Sequence, residues 1–158
     1  MSDQSKSVHQ FKVKLINGTE KNLSTYKNKV LLIVNIASAC GFAPQLKELQ
    51  ELREQLGPEN FEILGFPSND FGRQEPLEGS AIETFCEANY GVRFPVFEKI
   101  MVRGEQAHPL FKFLTQTSTP RWNFHKYLIN KDGEVVDYFF PFTKPLSSKV
   151  KKKIQRLL

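Results

Sequence analysis

The sequence predicts one layered α/β domain, with helices on both faces of a largely parallel sheet. Three observations point there. Val30-Leu31-Leu32-Ile33-Val34-Asn35-Ile36 is a near-continuous apolar run, the pattern of a strand covered on both faces. Leu46, Leu49, Leu52 and Leu56 recur every three or four positions with charges between them, the period of an amphipathic helix. Phe61 to Phe66 is a second buried run, and alternation of strands with helices builds a sheet between helical layers.

The elements follow in order. Residues 1–10 are polar and expected to be loose. Phe11 to Ile16 alternates apolar and charged side chains, and Asn17-Gly18 supplies a hairpin turn. After the strand at Val30, Pro44 suits the first turn of the leucine helix and Gly57 its stop. The strand from Phe61 runs into a loop, Pro67-Ser68-Asn69-Asp70-Phe71-Gly72. Ser80 and Glu83 have the spacing of a capping box, predicting a helix toward Asn89 that ends near Gly91 and carries Cys86. Phe94 to Phe97 is a short extended stretch, and Pro109 to Gln116 a short helix. Tyr127 to Ile129 and Val135 to Phe139 flank Lys131-Asp132-Gly133 as a second hairpin. Leu146 to Leu158 closes the chain as a basic amphipathic helix.

Composition sets the class. A chain of 158 residues, 40% hydrophobic and 25% charged, is enough for one domain with a real core, expected over residues 1–158. The 14 phenylalanines predict a core built on aromatic packing. A net charge of +5 favours anionic partners without saying anything about fold. No run of apolar residues is long enough for a membrane span, and the first residues lack the apolar core of a secretory signal. Two cysteines make no disulfide framework, so a reducing, cytoplasmic setting is expected.

Chemistry centres on Cys40, between the Val30 strand and the leucine helix. A helix N-terminus offers unpaired N–H groups and a positive dipole end, which push a thiol toward the nucleophilic thiolate. The competing reading is an inert buried thiol. A dithiol site would need a second cysteine at position 43, which is Ala43. The segment before Cys40 also lacks the Pro and Thr of peroxiredoxins. His9, His108 and His125 are scattered without metal-ligand spacing, and no phosphate loop or GxSxG is present.

Longer segments decide more. Val34 to Gln45 resembles the active-site segment of the glutathione peroxidase family. Leu64 to Pro76 (LGFPSNDFGRQEP) is similar to its second signature, Phe85 to Pro95 to its third, and Arg121-Trp122-Asn123-Phe124 to its fourth. The resemblance runs from about residue 9 to the C-terminus. It implies a thioredoxin-like fold, a central mixed sheet flanked by helices with an N-terminal β-hairpin. It also implies a catalytic tetrad of Cys40, Gln74, Trp122 and Asn123. Singly, Trp122 reads as core packing, Gln74 as a loop residue and Asn123 as a turn former. Together they are donors that can stabilise a thiolate and the charge developing on a leaving oxygen.

Cys86 stands where thioredoxin-dependent relatives carry the resolving cysteine, implying a Cys40–Cys86 disulfide during turnover. From within a helix it would need local unwinding, so residues 79–93 are predicted to open easily. The implied substrates are hydrogen peroxide and organic or lipid hydroperoxides, with thioredoxin or glutathione as reductant. No metal, haem or flavin is implied, and no nucleic acid. Departures from the family pattern are Ala43, Ser68, Asp70 and Leu77. The connection from Gln116 to Arg121 is short where tetrameric relatives insert an assembly loop, so the resemblance implies a monomer. The basic C-terminal helix reads as a solvated face, or as a contact for an anionic membrane surface. A peroxide sensor relaying oxidation to a partner is the rival function.

Overall fold

The computed structural model describes residues 6–158. Ten regular elements follow: β1 (Lys12–Lys14), β2 (Glu20–Asn22), β3 (Val30–Ile36), α1 (Gln45–Leu56), β4 (Phe61–Pro67), α2 (Ser80–Tyr90), α3 (Pro109–Leu114), β5 (Lys126–Ile129), β6 (Val135–Phe139) and α4 (Ser148–Gln155). Strands β1 and β2 pair as an antiparallel hairpin, and the main sheet has the order β4-β3-β5-β6. Only β3 and β4 are parallel; β5 runs antiparallel to both β3 and β6. The sheet is therefore mixed, as a thioredoxin-like fold requires, rather than largely parallel. The apolar run of β3 reflects its central place between two strands and two covered faces.

The two faces can be read off the alternation of side chains. Val30, Leu32, Val34 and Ile36 of β3, with Phe61 and Ile63 of β4, meet Leu46, Leu49 and Leu52 of α1, Ile82 and Cys86 of α2, and Val150 and Ile154 of α4. Leu31 and Ile33, with Leu64, Phe66 and Tyr127, face the other way, onto Leu110, Phe111 and Leu114 of α3 and onto Val8, Val13 and Leu23. A period of two on the strands and of three to four on the helices thus divides one apolar set between two layers. The second layer is aromatic: Phe66 stacks on Phe97 with centroids 4.8 Å apart and meets Phe111 edge-on at 5.6 Å.

Several local expectations are corrected. Residues 1–5 of the segment expected to be loose lie outside the described residues. Val8–Gln10 form a 3-10 turn, because Val8 is fully buried and its N–H donates to Gly133 O at 2.9 Å. The capping box does not form. Gly79, at φ 52, takes the cap position of α2 without a side-chain bond, and Ser80 is already inside the helix. Phe94 to Phe97 makes only isolated bridges, Gly65 to Val96 and Leu15 to Phe97. The last helix is shorter than expected, since Ser147 caps it through Val150 N–H. No helix among the described residues is long and apolar enough to cross a membrane.

Candidate active site

Cys40 lies past the C-terminal end of β3, in turns that precede α1 rather than in its first turn. Helix α1 begins at Gln45 with Pro44 at its cap. The thiol accepts one backbone N–H, from Phe42 at 3.4 Å, and Ala43 N donates to Cys40 O at 2.9 Å. The residue is 7% exposed, buried but not sealed. A short local turn, not a helix terminus, therefore aims the Phe42 N–H at this sulfur.

The loop before Cys40 is stitched to the loop after β4. Ala39 N donates to Gln74 O at 2.8 Å, Ser38 N to Glu75 Oε1 at 3.1 Å, and Ser38 Oγ to Glu75 Oε2 at 2.5 Å. Glu75 is fully buried, and its own N–H donates to Asn69 Oδ1 at 3.0 Å. Burial raises the Glu75 pKa, against the opposing pull of its bonds from Ser38 and the charge of Lys99. Gln74 thereby becomes a neighbour of Cys40 through backbone pairing.

The third contribution comes from the segment entering β5. Asn123, fully buried, donates from Nδ2 to Gln74 Oε1 at 3.0 Å. With its oxygen engaged, Gln74 is left with its Nε2 hydrogens to donate elsewhere. Trp122 is half-buried and packs against both core layers, with its ring 5.5 Å from that of Phe71. Gly72 permits this approach: at φ 63, a Cβ there would stand 3.1 Å from Trp122 Cη2. Arg73 and Phe124, next to the two amides, also have positive φ, at 52° and 69°. Steric strain concentrates where the loops meet.

Cys86 is on α2, 1% exposed, and shares with Cys40 the apolar cluster of Ala37, Ile82 and Phe94. Both thiols are free. Burial pushes the Cys86 thiol up to about 12, helped by the negative charges of Glu75 and Glu83. Helix α2 is bounded by Gly79 at φ 52 and Gly91 at φ 67. Nearby, burial pulls His125 down to about 4 and Lys126 down to about 7.

Of the five sequence-predicted residues, Gln74 and Asn123 are bonded to each other and Gln74 to the residue before Cys40. Trp122 adjoins Asn123 in the chain, and Cys86 shares an apolar cluster with Cys40. Sequence reasoning missed four that support them: Asn35, Ser38, Glu75 and Lys126. A lone polar residue in an apolar run was the available signal for Asn35. Lys126 opens β5, one residue ahead of the apolar run at Tyr127 that marks the strand in the sequence. The basic C-terminal face is partly committed elsewhere, since Lys153 pairs with Asp137 and Lys149 lies 6.0 Å from the Phe139 ring centroid.

Comparisons with known proteins agree on one family. The glutathione peroxidase family model matches residues 8–115, a span holding Cys40, Gln74 and Cys86. The chain is 51% identical to a glutathione peroxidase homolog, BsaA, of Halalkalibacterium halodurans, covering 96% of this chain and 99% of the other. It is 42% identical to hydroperoxy fatty acid reductase gpx1 of Synechocystis sp., with 96% of each chain covered. These alignments extend past the matched span, over most of the chain. Among solved structures, Trgpx in apo form superposes with a TM-score of 0.77 at 37% identity, covering 96% of this chain and 94% of that one. Sequence and fold coincide over nearly the whole molecule, and the chain belongs to the glutathione peroxidase family.

Proposed function

We propose that this peroxidase reduces hydrogen peroxide and organic or lipid hydroperoxides through Cys40, with Cys86 as the resolving thiol. The observation that carries this reading is the Gln74–Asn123 bond, joined to the Cys40 loop by the Ala39–Gln74 pairing. Those bonds join the segments that carry the amide and indole donors to the loop that carries the thiol.

The Cys40 thiolate attacks the terminal oxygen of the hydroperoxide. The O–O bond breaks, an S–O bond forms, and the leaving alkoxide or hydroxide takes up a proton to become alcohol or water. Donors from Gln74, Asn123 and the Trp122 indole stabilise the charge that develops on the departing oxygen. Cys40 is now a sulfenic acid. The Cys86 sulfur attacks it and loses its proton, and the hydroxyl leaves as water, giving a Cys40–Cys86 disulfide. A reduced dithiol protein of the thioredoxin type returns both thiols by exchange and is itself oxidised to its disulfide. Glutathione is the second candidate reductant. No resident cofactor takes part in this cycle.

The resolving step needs α2 to open, because a sealed thiol with a raised pKa is a poor nucleophile. The positive-φ glycines at both ends of α2 are suited to such a hinge. We place the enzyme in the reducing cytosol, as a monomer, with the outward lysines of α4 as a weak contact for anionic membrane surfaces. The test is thiol counting after one equivalent of hydrogen peroxide. Loss of both free thiols without dimer formation is expected. Retention of the Cys86 thiol, or a covalent dimer, would overturn the cycle and favour a sensor that passes its oxidation to a partner.

A further inference from the structure

The turn that carries Trp122 and Asn123 is gripped by two buried polar side chains that the cycle does not use. Phe124, the next residue, adopts φ 69, a region that L side chains enter only against steric resistance. Something must hold it there. Asn35, fully buried in β3, takes both ends: Phe124 N donates to Asn35 O at 2.6 Å, and Asn35 Nδ2 donates to Trp122 O at 3.1 Å.

Lys126, fully buried at the start of β5, takes the far side. Its ammonium donates to Phe124 O at 2.7 Å, Pro141 O at 3.2 Å and Phe140 O at 3.4 Å. Gln45 Nε2 donates to the same Pro141 carbonyl at 2.8 Å, so the grip extends to the first residue of α1. Among the described residues Lys126 has no ion-pair partner. Glu48 acts on it as an opposing charge without contacting it; a buried cation with no partner in contact is costly, and a methionine would pack the same space without that cost. What the ammonium supplies and an apolar side chain cannot is three directed bonds to carbonyls, one of them in the strained turn.

We propose that Lys126 is a positioning residue for the oxidation step, which with Asn35 presets the Trp122–Asn123–Phe124 turn so that Asn123 meets Gln74 and the indole N–H is held ready for the oxidant. Lys126 touches neither peroxide nor Cys40. It acts by removing the reorganisation the donors would otherwise undergo at O–O cleavage. The proposal rests on the reading of Asn123 and Trp122 as donors, and the test separates the two.

Trp122 is the sole tryptophan, so its emission reports on this turn directly. The reduced full-length protein is mixed with hydrogen peroxide in stopped flow, and the oxidised protein with dithiothreitol. In Lys126→Met the peroxide rate constant falls about tenfold or more and the emission maximum of the reduced protein shifts. The dithiothreitol step changes less than about twofold, since Trp122 and Asn123 have no part in it. Asn35→Leu, which removes the donor to Trp122 O, moves the same readouts the same way and serves where Lys126→Met does not fold. Unchanged peroxide rate and emission in a folded variant overturn the proposal, as do equal losses in both half-reactions. Asn123→Ala is the control. If it reacts at the wild-type rate, the reading of the site fails. If it is slow while Lys126→Met and Asn35→Leu are normal, only the positioning role fails.

Discussion

Asn123 Nδ2 donates to Gln74 Oε1 across 3.0 Å, joining positions 49 apart in the chain. The bond fixes which end of the Gln74 amide is spent and which remains a donor. Gln74 is in turn tied by its carbonyl to Ala39, one residue from the thiol. The two amides should therefore act as one unit. Gln74→Ala and Asn123→Ala should each lower the rate of peroxide reduction on the order of 100-fold. The double variant should lose far less than the product of the two, because each single change already disables the pair. Fully multiplicative losses in stopped flow would show that the amides work independently.

Cys86 should be silent toward alkylation while α2 is closed. Its thiol is 1% exposed and pushed up to about 12, so little thiolate exists at pH 8. Iodoacetamide followed by mass spectrometry should label Cys40 in the native protein and Cys86 only with opening of residues 79–93. In Cys86→Ser the first equivalent of peroxide is still consumed, while turnover with thioredoxin stops. Labelling of Cys86 as fast as in the unfolded chain would contradict this.

Gly72→Ala tests the packing beneath the indole. A methyl group there meets Trp122 Cη2 at 3.1 Å, on a backbone at φ 63. The left-handed conformation alone should cost roughly 1–2 kcal/mol, readable in denaturant unfolding. The displaced ring should also slow peroxide reduction. A variant of wild-type rate and stability would mean that the loop shifts freely.

His125 should make the fold acid-sensitive. Burial holds its pKa at about 4, lowered further by Lys126 and Arg121, whereas in the unfolded chain the imidazole titrates near ~6.5. Between those values the unfolded state binds the extra proton, so stability falls as pH drops from about 6.5 to about 4. His125→Phe keeps a ring beside Tyr127 and Tyr138 and should flatten that part of the stability profile. An unchanged slope would assign the acid sensitivity to other groups.

Some elements were legible because their signals are local. The run of β3, the leucine period of α1 and the Lys131-Asp132-Gly133 turn each declare themselves within a few residues. The cap of α2 was misread because Ser80–Glu83 spacing is also compatible with a serine already inside the first turn. What decided it was Gly79, whose positive φ of 52 puts it at the cap position with Ser80 already helical. Glu75 and Lys126 were illegible for another reason: a charged side chain in the sequence carries no sign of whether it will be buried. Glu75 is buried where Ser38, arriving from the end of the neighbouring parallel strand, bonds both of its carboxylate oxygens.

By itself the chain's order of residues determined the alternation of strands and helices and the family's motifs, with Cys40 among them as the proposed nucleophile, since these depend on spacing along the backbone. Only the tertiary structure decided which polar groups meet. Hydrogen bonds act over about 3 Å, and groups dozens of residues apart come that close only through the register of the sheet and the path of each loop. The thiol could be named from its neighbours in sequence; its supporting network could be named only from its neighbours in space.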